Sequence, residues 1–214
     1  FCSLDMGAKF VKSVLPYRER KVKILNGVHT MSVLAGYNAG FKIVRDMVND
    51  ETFKAYIDRG LNEEILKTID LDENELKTFA NSVLERFNNP FIDHKLLDIS
   101  LNSVAKFKAR CLCSLLDYYN KFEKVPSVLS FAFAALINFY EDFENKDYPV
   151  NDVESVLDFF RNKHGDLVFD VLANVDFWGE DLTKIDGLYE KVKGYFDSIK
   201  ALGINKAMEK LLNE

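Results

Sequence analysis

The chain has 214 residues, of which 48% are hydrophobic and 29% charged, a balance that places it among folded globular proteins able to bury a sizeable core. Its net charge of -6 and lack of any long Lys/Arg run argue against a nucleic-acid surface. Its longest uncharged run, residues 125–140, falls short of the roughly 20 residues that span a bilayer, so no membrane partner is expected. Three cysteines, Cys2, Cys111 and Cys113, form an odd set without framework spacing, and no signal-peptide pattern is evident, which together fit a reducing cytoplasm and buried structural thiols.

Residues 8–14 alternate like a short strand, and Pro16 marks a boundary after them. From there the apolar spacing is helical nearly throughout, which predicts an all-α domain. A first helix is expected over residues 18–38, broken or bent by Gly36 and Gly40 before another at 41–48. Asp50 caps a helix over 51–69 and Asp72 opens one that ends at the Asn88-Asn89-Pro90 turn. A long helical region is read over 92–122, with one interruption near Ser103. Pro126 then opens 127–143, apolar all round and therefore central. Helices over 153–161, 167–174, 188–202 and 205–212 complete the chain. No G-x-G-x-x-G, G-x4-G-K-[ST] or H-E-x-x-H motif occurs.

Two constellations carry chemistry. In the first, Lys21, Asn26 and His29 stand in a K-x4-N-x2-H spacing; on an α-helix Asn26 lies roughly 140° and His29 roughly 80° around the axis from Lys21, within about 12 Å of rise. An amine, an amide and an imidazole on one face can supply a proton, stabilise an oxyanion and orient a hydroxyl. The alternative is a half-exposed helix with Lys21 in solvent and His29 satisfied in the core. In the second, His94, Asp98, Asn102, Lys106 and Arg110 recur every four residues, as either a substrate-facing stripe or a solvated i,i+4 network. Arg86, just before the Asn88-Asn89-Pro90 turn, is either a surface charge or a fork for a carboxylate.

Residues 16–30, read as Pro-Tyr-Arg-Glu-Arg-Lys-Val-Lys-Ile-Leu-Asn-Gly-Val-His-Thr, resemble the active-site helix of the polyol-specific long-chain dehydrogenases, the mannitol dehydrogenase family. The Arg86-Phe87-Asn88-Asn89-Pro90 turn and the region from Lys106 to Arg110 extend the resemblance over essentially the whole chain. The resemblance implies that Lys21 is the acid/base, that Asn26 polarises the carbonyl and that His29 holds a hydroxyl, with no metal. For oxidation Lys21 must lose its proton part of the time, which calls for burial or a nearby cation such as Lys23 or Arg20.

Lys106 falls where the family has a basic substrate contact, and His94, Arg86 and Asn102 join it as substrate-binding candidates. Many polyol-oxidising members carry D-G-S-x-K ahead of that lysine, where this chain reads Asn102-Ser103-Val104-Ala105-Lys106, and Asp98 replaces an arginine of some mannitol enzymes. Both departures favour the uronate branch and a small sugar-acid substrate. The resemblance further implies NAD, bound mainly by an N-terminal Rossmann domain of the same polypeptide, with residues 1–17 as a linker or its last strand and 18–214 as the helical substrate domain. Within the same family, a member acting on fructuronate or on mannitol is the first alternative, and a non-catalytic helical interaction module is the competing class.

Overall fold

The computed structural model describes residues 10–162 and 165–214, so Cys2 and the first part of the strand-like segment lie outside the described residues. Residues 10–14 form no strand, and helix α1 begins at Leu15 with Pro16 in its first turn, where a missing N–H costs nothing. It runs over residues 15–38 as α-helix Leu15–Arg20, a π-helical stretch Lys21–Asn26 and α-helix Gly27–Asn38. Gly36 does not break it. That position is buried, and a Cβ there would lie 2.3 Å from Met47 Sδ, so the glycine instead lets α2 (Val44–Asn49) approach. Gly40, with φ +100°, makes the turn.

Asp50 accepts the Phe53 amide at the start of α3 (residues 51–68), and Asp72 accepts that of Glu75 at the start of α4 (Glu73–Phe87), each bond 3.0 Å long. The long helix expected over 92–122 does not form as one piece. An isolated antiparallel bridge joins Ile43 to Lys95, leaving residues 91–95 outside any helix, and α5 covers only Leu96–Ile99. Asn102 adopts a left-handed conformation, φ 52°, its N–H donating to the Asn151 carbonyl at 2.9 Å, and α6 starts only after it. α6 spans residues 103–122, with a second π-helical stretch at Lys108–Leu112.

The expected central helix is α7 (Ser127–Tyr140), almost wholly buried, from Phe131, Phe133 and Phe139 to Leu136 and Ile137. Around it follow α8 (Glu154–Arg161), α9 (Leu167–Ala173), α10 (Val175–Trp178), α11 (Leu188–Leu202) and α12 (Ile204–Leu212). α10 is the one of these that apolar spacing did not predict. α7 lies between α1 and α11 and carries the core they share. Among the described residues there is no strand, as an all-α domain requires.

Pro126 gives α7 no side-chain cap. Glu64, from a π-helical stretch of α3 and only 4% exposed, supplies it from across the core: its two carboxylate oxygens accept the Val128 and Leu129 amides at 2.7 and 2.9 Å. Burial pushes its carboxyl above the usual range while those amides pull it back. Glu64→Ala is expected to cost about 2 kcal/mol or more by leaving two buried donors unpaired, and Glu64→Gln less, measured by urea denaturation.

Candidate active site

The π-helical stretch Lys21–Asn26 changes the expected geometry of the first constellation. Bonding from each N–H to the carbonyl five residues back widens the turn, as in the Gly27 N–H to Val22 carbonyl bond. Lys21 and Asn26, five apart, are therefore brought closer to one line than an α-helix allows. Lys21 is exposed, and Asn26 is half-buried with no hydrogen bond from its side-chain amide to a described residue.

The neighbouring cations are turned away from this face. Lys23 is 2% exposed; its ammonium pairs with Glu19 at 2.6 Å and Asp117 at 2.7 Å and donates to the Thr68 carbonyl at 3.0 Å. Burial works against its charge, but the two carboxylates outweigh it and the pKa is raised. Arg20 pairs with Glu75 at 2.9 Å and sits 4.2 Å over the Phe79 ring. Neither is an unpaired cation positioned to depress Lys21, as the sequence suggested; both are neutralised structural charges.

His29 lies flat on Phe87, ring centroids 3.9 Å apart and 11° from parallel, with His94 edge-on at 5.7 Å. Its Nε2 is buried without a hydrogen-bond partner. Burial, and then the charges of His94 and Arg110, hold its pKa down to about 4, so the imidazole is neutral near pH 7. A neutral imidazole with an unpartnered buried nitrogen can exchange a hydrogen bond with a hydroxyl brought to it.

The second constellation is not one stripe. His94 precedes α5, where its carbonyl accepts the Val44 amide at 2.9 Å; Asp98 is exposed on α5; Asn102 is an exposed turn residue that serves the backbone. The left-handed turn at Asn102 and the Ile43–Lys95 bridge disrupt the helical register that would have aligned them. Only Lys106 and Arg110, one turn apart on α6, keep the predicted relation. Lys106 donates to the Ile99 carbonyl at 2.8 Å, and burial, then Arg110, lower its pKa against the pull of Asp152. Arg110 donates to Thr30 Oγ1 at 3.3 Å, beside His29. Gly27 makes that approach possible, since a Cβ there would meet the Arg110 carbonyl at 3.3 Å; the buried Cys111 thiol donates to the Gly27 carbonyl at 3.5 Å.

The Arg86 side chain is exposed and makes no hydrogen bond or ion pair with a described residue. Arg45 ties the turn instead, donating to the Pro90 carbonyl at 2.8 Å and to Asp93 at 2.6 Å. The structure thus assembles His29, His94, Phe87, Thr30 and Arg110 at one place with Lys106 beside them. Phe87 was present in the Arg-Phe-x-Asn-Pro turn, but nothing in its spacing marked it as the platform under His29.

Residues 13–200 match the mannitol dehydrogenase C-terminal domain. The chain belongs to this family. It is 38% identical over 216 residues to an altronate oxidoreductase of Yersinia pestis bv. Antiqua (strain Nepal516), covering 96% of this chain and 45% of that protein. It is 40% identical over 212 residues to one of Escherichia coli O139:H28 (strain E24377A / ETEC), covering 94% and 44%. The chain therefore spans less than half the length of these curated relatives. The fold is shared with Pseudomonas fluorescens mannitol 2-dehydrogenase, solved as a ternary complex with NAD and D-mannitol, at a TM-score of 0.86 and 19% identity over 98% of this chain and 43% of that one. A substrate-free D-sorbitol dehydrogenase aligns at 0.78 and 18%, over 94% and 42%.

Because the folded His29 pKa lies below the 6.5 of an ordinary imidazole, the stability tied to its neutral form is present above pH 6.5 and is lost as pH falls toward 4. An NMR titration of the three histidines, with His29 assigned through His29→Gln, is expected to place its midpoint near 4. A midpoint near 6.5 would contradict the buried, neutral imidazole.

Proposed function

We propose that this chain is the substrate-binding and proton-handling part of an oxidoreductase that interconverts D-tagaturonate and D-altronate. The observation that carries the substrate is the 38–40% identity to altronate oxidoreductases over nearly the whole chain, against 19% to the mannitol enzyme of the same fold. The reading places the protein in the cytoplasm, with a small sugar acid as its ligand. Among the described residues, no helix is long and apolar enough to cross a membrane.

NAD is the hydride carrier in this proposal. The chain has no G-x-G-x-x-G, and its described residues form no strand on which a dinucleotide crevice is built, so its residues do not fit the cofactor by themselves. A nucleotide-binding unit in the rest of the polypeptide is therefore part of the proposal, and the residues ahead of α1 belong to the connection between the two parts.

What this chain's residues do is hold the sugar acid and move a proton. In the reducing direction Lys21 gives its proton to the oxygen of the reacting carbonyl, Asn26 donates to that oxygen while charge develops on it, and neutral His29 holds a neighbouring hydroxyl. No metal takes part in this scheme. In the oxidising direction Lys21 accepts the proton back, which requires a neutral amine for part of the time. Lys23 and Arg20 are already paired, so the burial that favours the neutral amine comes from the part of the polypeptide that covers the exposed Lys21 face. His94 stands edge-on to His29, whereas Arg86 and Asn102 take no direct part in this scheme.

In the full-length protein, Lys21→Ala is expected to lower turnover by on the order of 10²- to 10⁴-fold with little change in melting temperature, since the side chain makes no ion pair with a described residue. Turnover within about threefold of wild type would remove Lys21 from the mechanism.

A further inference from the structure

Two partly shielded cations on α6, Arg110 and Lys106, form no ion pair with a described residue. Several cations shielded elsewhere meet a carboxylate: Lys23 with Glu19 and Asp117, Arg20 with Glu75, Arg45 with Asp93. Arg110 is half-buried and does not. Its only side-chain partner among the described residues is the neutral hydroxyl of Thr30, which leaves most of the guanidinium's donors unused. Lys106, one turn earlier on the same helix, likewise spends its ammonium on a backbone carbonyl. Asp152 is the nearby carboxylate, and it is engaged by the Tyr140 hydroxyl and by the Val104 amide at 3.4 Å.

Two partly shielded cations without a carboxylate, in a protein of net charge -6, leave a local positive field next to the unpartnered Nε2 of His29. A guanidinium fork takes a carboxylate bidentately, and a lysine one turn away adds a point charge. We infer that Arg110, oriented by Thr30 and reinforced by Lys106, binds the substrate's carboxylate and is the group by which this site separates a sugar acid from a neutral polyol.

The inference rests on the sugar-acid reading above and sharpens it. Arg110 is preferred to Arg86 because it is the guanidinium held beside His29 through Thr30, and the Arg45 guanidinium is committed to Asp93 and the turn carbonyls. His94, edge-on to the His29 ring, remains available as a hydroxyl or anion contact.

The test is a specificity ratio in the full-length enzyme: kcat/KM for sodium altronate divided by kcat/KM for a hexitol, which lacks the carboxylate. Arg110→Met is expected to lower this ratio by on the order of 10²-fold, mainly through KM for altronate, with Arg110→Lys recovering part of it. Thr30→Val, which removes only the hydroxyl that orients the guanidinium, is expected to lower the ratio by about threefold to tenfold and keeps the test open if Arg110→Met does not fold. An equal loss on both substrates, or no loss on either, in an enzyme whose wild type turns over altronate would overturn the carboxylate assignment alone. A wild type that turns over hexitols and no sugar acid would overturn both it and the proposed function.

Discussion

The wide turn at Lys21–Asn26 is the constraint on which the site depends. A π-helical turn is less favourable than an α-helical one and persists where surrounding contacts over-determine it. Here the buried ammonium of Lys23 provides one anchor, since removing it from Glu19, Asp117 and the Thr68 carbonyl would leave a shielded charge uncompensated. Gly27 provides the other. With no side chain there, the backbone of α6 comes against α1 where α6 itself passes through a π-helical stretch, Lys108–Leu112. The two irregular turns meet, and the chemistry-bearing residues lie on or beside them: Lys21, Asn26 and His29 on one helix, Lys106 and Arg110 on the other.

The division of charge follows from the same arrangement. Lys23 and Arg20 hold the helix in place and are neutralised in doing so, which leaves the site's electrostatics to groups with no such partner. His29 is held neutral by burial and by the charges near it, a state that suits a hydrogen-bonding contact. Lys21 is exposed in this chain, consistent with a chain that spans under half the length of its relatives.

Much of the fold was legible because it follows local rules. Asp50 and Asp72 cap the helices they were expected to cap, α7 is the central element that its uninterrupted apolar surface required, and α11 has the bounds its periodicity indicated. The K-x4-N-x2-H spacing was visible, but its true register was not, because apolar periodicity does not reveal a single wider turn inside a helix. The residues between Ile92 and Asn102 were misread for a different reason. A helical pattern is present there, and the Ile43–Lys95 bridge together with the Asn102–Asn151 bond, both contacts distant in sequence, override it. Of the two carboxylates that pair Lys23, Glu19 is one turn away in the sequence, whereas Asp117 lies 94 residues away and is brought near only by the fold. Phe87, Glu64 and the Thr30–Arg110 pair were likewise defined by partners that only the folded chain brings near.

The most direct measurement is a crystal structure of the full-length protein with NAD and altronate bound. The account predicts the reacting oxygen within hydrogen-bond reach of Lys21 Nζ and the Asn26 amide, a neighbouring hydroxyl on His29 Nε2, and the carboxylate on Arg110. A complex in which Lys21 still faces solvent, or in which the substrate sits away from the Lys21–Asn26 turn, would contradict it.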